Sequence, residues 1–170
     1  MRSCHFDAYN GLETKPCHLH LRIGEEKFAA KADREGLAEA GITWVLQVSK
    51  YVDDSRFLGG DVQLAACMLA ALQTNSVKLE NKACTERMMG IKMTGDRVHF
   101  YTIKTSVSYL QDLDEGLPGQ DINILKSPAL HLSKADERKQ LLLHLWSLRK
   151  MALNIQYVRD SLSHHTQVIL

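Results

Sequence analysis

Seven consecutive residues, ITWVLQV at 42–48, set the strongest limit on how this chain folds. Nearly all of them are apolar, and most carry β-branched or aromatic side chains, which fit a pleated surface. Near-continuous apolar runs of this length are typical of strands with both faces buried. The run therefore predicts a central strand of a sheet.

The segments on either side of this run predict two hairpins. CHLHLRI at 17–23 alternates apolar and polar residues, which indicates a half-buried strand, and GEEK turns the chain into a weaker strand at 28–33. Gly36 and Gly41 then bracket a region that we expect to be irregular or a turn. A short turn with glycine, TGD, joins the β-rich runs 88–93 and 97–104. A short edge strand is predicted at 122–125, after a loop at 116–121 that contains Pro118 and Gly119.

Two helices are predicted from the spacing of apolar residues. The first covers 61–73, with Asp61 as its N-cap and Asn75 as its stop signal. The second covers 133–162, where Ser133 and Asp136 resemble a capping box. Its apolar stripe consists of Leu141, Leu142, Leu145, Trp146, Leu148, Met151, Ala152 and Ile155.

Length and composition indicate one α/β (or α+β) domain, with a central mixed sheet flanked by helices. The 170 residues are 45% hydrophobic and 24% charged, and the net charge of +1 gives no global signal for nucleic acid. Residues 1–16 are expected to be irregular and 163–170 to form a tail. The longest apolar run, at 64–72, is too short to cross a membrane. Four cysteines without paired spacing favour an intracellular location, cytoplasmic or nuclear. The sequence gives no indication of the oligomeric state.

A group of polar residues near the central strand suits phosphodiester chemistry. Such hydrolysis uses a hard cation held by oxygen ligands, and a lysine that orients the attacking water. Asp33 ends one predicted strand, while Gln47 and Ser49 share one face of the next strand and Lys50 follows them. Gln63, in the first turn of the following helix, can reach the same place.

The stretch from Lys31 to Gln73 resembles the core of the PD-(D/E)xK superfamily, the restriction-endonuclease-like fold. In that family an Asp, a (D/E)-x-K strand and a helix with a leading Gln form the site. Here Gln47 stands in the place of the second acid, and Ser49 in the place of the lysine. Residues 60–150, with GDVQLAACMLAALQTN and GIKMTGDRVHFYTIKTS, are also similar to fungal proteins that occur as multicopy families in mushroom-forming (basidiomycete) species.

The resemblance implies roles for particular residues and leaves the activity open. If the site is active, Asp33 holds Mg²⁺ or Mn²⁺, and Gln47 or a nearby acid such as Glu35 completes the site. Lys50 then assists the water, and Gln63 orients the substrate or the metal. The implied function is that of a metal-dependent nuclease or a degenerate relative of one, acting on nucleic acid. A non-catalytic interaction or regulatory protein on the same fold is the alternative, and an unrelated α+β binding domain is a third.

Cysteine and histidine residues at the start of the chain raise the question of zinc. Thiolate and imidazole suit Zn²⁺, and His18 and His20 share one face of the strand that begins at Cys17. The spacing matches no finger or ribbon pattern, however, and a polar strand face near the surface is the simpler interpretation.

Overall fold

The computed structural model describes residues 13–38, 42–50, 57–79 and 87–166. The strands are β1 (Glu13–Ile23), β2 (Glu26–Ala38), β3 (Ile42–Lys50), β4 (Arg87–Thr94), β5 (Arg97–Lys104), β6 (Ile124–Lys126) and β7 (Leu130–His131). The helices are α1 (Phe57–Lys78), α2 (Val107–Glu115) and α3 (Ala135–Thr166). None of the helices in these ranges has the combination of length and apolarity required to span a bilayer.

The strands form one mixed sheet, so the α/β class predicted from the sequence is confirmed. The spatial order is β1-β2-β3-β4-β5-β6, and β7 pairs with β5 beyond the end of β6. Only β3 and β4 run parallel among the described strands, and α1 connects them, because a parallel pair needs a crossover connection. β3 therefore lies in the middle of the sheet, as the apolar run predicts.

Both predicted hairpins are present, and each turns at a glycine. Gly24 and Gly95 have φ values of 58°, a left-handed conformation that glycine adopts without the steric cost of a side chain. The pairs Ile23–Glu26 and Thr94–Arg97 close the two turns. Local turn chemistry thus fixes the register of β1 with β2 and of β4 with β5.

The main core lies between one face of the sheet and helices α1 and α2. Its largest fully buried members from α1 are Leu64, Met68 and Leu72, and they pack against strand residues such as Leu46 and Ile103. Helix α3 lies on the other face, because the ring of His144 is 5.2 Å from that of Phe100, whose neighbour Tyr101 points into the main core. The sheet therefore has helices on both faces.

Burial of β3 is less complete than the apolar run predicts. Leu46 and Val48 are buried in the main core, but Gln47 and Ser49 point to the opposite face, where Gln47 is half-buried and Ser49 is exposed. Val45, on the same face as Gln47, is also half-buried, so the prediction of a strand buried on both faces is wrong for this second face. The apolar stripe of α3 is also only partly buried: Leu148 is covered, whereas Leu142 and Trp146 are more than half exposed. The side chains of Ala152 and Ile155 lie outside the described residues.

Strand β2 continues through the region where an irregular segment or turn was expected. Gly36 lies inside β2 and pairs with Val45 of β3, while Gly41 lies outside the described residues. A register shift follows Gly36, because Leu37 pairs with Thr43 and Trp44 is left over as an extra residue in β3. Glycine marks this irregular pairing rather than the end of the strand.

Both end signals proposed for the first helix are wrong, because α1 extends further in each direction. Asp61 lies inside the helix, and its carboxylate bonds side chains of three strands instead of the helix terminus. Asn75 is buried, and its amide group bonds both the N–H and the C=O of Thr43, at 3.0 and 2.6 Å. A side chain that satisfies strand backbone in this way stabilises the packing of α1 on the sheet.

Helix α2 was not predicted, and the start of α3 differs from the prediction. The hydroxyl of Ser106 caps α2 by accepting a hydrogen bond from the Tyr109 N–H. The capping box at α3 is wrong: Ser133 donates its hydroxyl hydrogen to Asp96 in the β4–β5 turn. Glu137 instead accepts a hydrogen bond from the His131 N–H, which ties the first turn of α3 to β7.

Candidate functional site

Three of the residues selected from the sequence, Asp33, Gln47 and Gln63, form hydrogen bonds where β2 separates from β3. The first pair between these strands is Arg34–Gln47, so the part of β2 before Arg34 has no partner on β3. A bulge lies at the same point, because Lys15 pairs with Glu35 but Cys17 pairs with Ala32, which leaves one extra residue in β2. We call this place, from Lys31 to Asp33 on β2 and at Ser49 on β3, the fork.

Asp33 and Gln47 both bond to Ser49 at the fork. The Ser49 N–H donates to Asp33 Oδ2 at 2.5 Å, in place of the strand partner that β2 no longer supplies. Gln47 donates from Nε2 to Ser49 Oγ at 3.2 Å and to the sulfur of Met93 at 3.3 Å. The expected sharing of one face by Gln47 and Ser49 is therefore observed.

Gln63 reaches the other side of the fork. Its Nε2 donates to the Lys31 carbonyl oxygen at 2.7 Å, a group that also lacks a strand partner on β3. Asp33 and Gln63 thus both satisfy main-chain groups that the separation of the strands leaves open. The backbone of Lys50 pairs with Thr94, but its side chain lies outside the described residues.

The described side chains at the fork offer few oxygen ligands for Mg²⁺. Among the residues that the structure describes, Asp33 is the one carboxylate bonded at the fork, and one of its oxygens already accepts a hydrogen bond. Glu35, suggested as a replacement acid, is buried and accepts from the Thr43 hydroxyl at 2.9 Å, on the core face of β2. Within the described ranges, no three His, Cys, Asp or Glu side chains are grouped so that they could hold a metal ion. His18 and His20 also point away from Cys17, which is buried in the main core.

A second cluster, which the sequence did not reveal, joins α1 to three strands. Asp61 Oδ1 accepts from Lys92 Nζ at 2.5 Å and from the Tyr101 hydroxyl at 2.8 Å, while Oδ2 accepts from Lys126 Nζ at 2.9 Å. Lys126 Nζ also lies 5.4 Å from the centre of the Tyr101 ring. We call these four residues the Asp61 cluster. Since Asp61 and Gln63 lie on different sides of α1, the start of this helix is bonded to both halves of the sheet.

The electrostatics of the Asp61 cluster favour an ionised carboxylate. Burial by itself raises the pKa of Asp61, but hydrogen bonds from Lys92, Lys126 and Tyr101 outweigh it and lower the pKa to about 2. The pKa of Lys126 is raised by its hydrogen bonds with Tyr101 and Asp61. Both partners are therefore held in their charged forms, as expected of a cluster that stabilises structure.

A signal for the Asp61 cluster is present in the sequence of β4. Met88, Gly90 and Lys92 are spaced two apart and lie on one buried face, so a lysine occupies a core-facing position. A buried ammonium group requires a nearby carboxylate. The sequence does not show which carboxylate this is, because Asp61 lies 31 residues before Lys92.

Comparison of the chain with protein-family models, with curated proteins and with solved structures gave no match.

Proposed function

We propose that this protein is a non-catalytic relative of metal-dependent nucleases that binds nucleic acid without hydrolysing it. The observation that carries the proposal is the bonding of Asp33 and Gln47 to the same residue, Ser49. These positions correspond to those that supply the acids and the lysine in the PD-(D/E)xK pattern. In this chain, position 47 holds a neutral amide and position 49 holds a hydroxyl, and the amide donates a hydrogen bond to the hydroxyl oxygen.

The ligand class follows from the resemblance, and the chemistry of the fork supports it. A second carboxylate at position 47 would repel phosphate unless a divalent cation lay between them. Glutamine removes that negative charge, so a phosphate group can approach the fork without a metal ion. A glutamine instead of an acid at position 47 therefore removes a metal ligand needed for hydrolysis, and it favours binding of phosphate without a metal ion.

Restoring the motif tests this proposal directly. We expect the wild-type protein to bind oligonucleotides but to leave them intact with Mg²⁺ or Mn²⁺, and to show no heat of Mn²⁺ binding by titration calorimetry. The double substitution Gln47→Glu with Ser49→Lys supplies the missing acid and lysine on one strand face. It should gain Mn²⁺ binding, because residues 33 and 47, which bond the same residue in the wild-type protein, then both carry carboxylates.

Two further variants make the result specific. Ser49→Lys alone adds the same ammonium without the acid, and should not gain Mn²⁺ binding. Asp33→Asn in the restored background should abolish it. Metal-dependent cleavage by the wild-type protein that Asp33→Asn removes would show instead that the natural site is active.

A further inference from the structure

The hairpin β1–β2 carries a row of basic residues on the face opposite the main core. Cys17, Leu19 and Leu21 point into the core, so the alternate residues of β1 point the other way. His18 pairs with Lys31, and Arg22 pairs with Lys27, and partners in an antiparallel pair share a face. Arg34 extends this row through its pairing with Gln47. The basic face thus consists of His18, His20, Arg22, Lys27, Lys31 and Arg34.

This surface is open to solvent. All six side chains are exposed. None of them forms an ion pair with a carboxylate in the part of the chain that the structure describes. The four Lys and Arg residues give the face a formal charge of +4 with both histidines neutral, whereas the whole chain has a net charge of +1. Positive charge is therefore concentrated on one surface, which net charge alone does not reveal.

We propose that the basic face binds the backbone of a single-stranded nucleic acid; this inference rests on the proposed function and gives it a location. Charge complementarity selects a polyanion. Strand geometry then places His18, His20 and Arg22 about 6.7 Å apart along β1, and Lys27 and Lys31 about 13 Å apart along β2, in two rows about 4.8 Å apart, which forms a narrow ribbon. A ribbon of this width accommodates one backbone.

The histidines argue for a single strand rather than a duplex. Imidazole rings stack on unpaired bases, which a duplex keeps inside its helix. His18 and His20 lie on the same face, with Arg22 after them on β1 and with Lys27 and Lys31 on β2, so stacked bases and bound phosphates can lie side by side along the hairpin. The row ends near Lys31 and Arg34, beside the fork, so a strand on the basic face leads to Ser49.

Binding of fluorescent oligo(dT) of roughly 20 nucleotides, measured by anisotropy over a range of salt concentrations, tests the inference. The double variant Lys27→Gln/Lys31→Gln should bind at least about tenfold more weakly. Its slope of log affinity against log salt should be smaller by about 1.4, because each phosphate contact on a single strand contributes about 0.7. The control Lys104→Gln/Lys139→Gln removes the same charge from exposed positions elsewhere and should leave the slope unchanged.

A second pair of variants separates stacking from charge. His18→Ala/His20→Ala should weaken oligo(dT) binding at least about fivefold and change binding of a duplex of the same length less. Tighter binding of duplex than of oligo(dT) by the wild-type protein would overturn the single-strand assignment. Polyglutamate that competes as well as oligo(dT) would point to an acidic protein partner and would also overturn it.

The outcomes distinguish this inference from the function on which it rests. If the wild-type protein binds oligo(dT) and the Lys27→Gln/Lys31→Gln variant binds equally well, the location is wrong and nucleic-acid binding stands. If the wild-type protein binds neither oligo(dT) nor duplex, the proposed function fails and the inference fails with it.

Discussion

At the scale of single residues, the chain uses polar side chains to complete hydrogen bonding that its strands leave open. Asp33 accepts from the Ser49 N–H, Gln63 donates to the Lys31 carbonyl group, and Asn75 bonds both backbone groups of Thr43. Each of these contacts has a structural explanation that needs no ligand. The sequence alone marks the residues as polar and well placed, but the contacts show which groups they satisfy.

Asp61 is the residue whose charge is most strongly coupled to folding. We expect Asp61→Asn to destabilise the protein by about 1–3 kcal/mol, because the buried Lys92 loses its charged partner. Urea denaturation of both proteins at neutral pH measures this difference. The control Asp112→Asn, at an exposed position of α2, should change the free energy of unfolding by less than about 0.5 kcal/mol.

The pH dependence of that difference has a definite sign. The pKa of Asp61 falls from an ordinary 3.8 to about 2 on folding, so its ionised form contributes stability above pH 4. That contribution is lost as the pH falls from 4 towards 2. The stability difference between wild type and Asp61→Asn should therefore shrink across this window, and a difference that stays constant would contradict the role of the carboxylate.

At the scale of elements, close approach between β2 and β3 depends on a glycine. A Cβ atom at Gly36 would lie 2.6 Å from Val45 Cγ1 and 2.9 Å from Trp44 Cε2. Neither neighbour can move easily, since valine is stiff at χ1 and the indole is rigid. The extra residue at Trp44 and the glycine opposite it therefore form one irregular unit that joins the two strands.

Gly36→Ala should lower the free energy of unfolding by about 1–3 kcal/mol, because the added methyl group forces Val45 or Trp44 to shift. Thermal unfolding followed by circular dichroism measures the change. Gly119→Ala is the matched control, since no atom lies within 4 Å of its added Cβ. Equal effects of the two substitutions would show that conformational entropy, and not the contact, explains the loss.

At the scale of the whole molecule, the sequence predicts most of the sheet, including the short edge strand seen as β6, but it does not predict β7 or helix α2. The hairpins and the central strand follow from local signals, namely alternation, glycine turns and an apolar run. Helix α2 has only nine residues and depends on packing of Leu110 and Leu113 against the core, so its pattern is weak. In the Asp61 cluster, Asp61 bonds residues that are between 31 and 65 positions away along the chain, a distance over which one sequence carries no pairing information.

Stability should be distributed unevenly across this sheet. Leu46 pairs with Glu35 on one side and Gly90 on the other, and its side chain is fully buried. Strand β6 has three residues at the edge, and its Leu125 is exposed. Hydrogen exchange measured by mass spectrometry should therefore be slowest in peptides covering β3 and much faster in those covering β6. Equal protection in both would indicate that the sheet opens as a single unit.

The contact between Gln73 and β1 has a consequence for how molecules of this protein meet. Gln73 accepts from the Arg22 N–H at 3.0 Å and donates to the Arg22 carbonyl oxygen at 2.8 Å, so it bonds both outward-facing groups at this point of the edge strand. A second chain that tried to extend the sheet here would have to displace that amide. Open edges recruit strands from other molecules and lead to aggregation. One glutamine on a helix thus protects this end of β1 from intermolecular sheet growth.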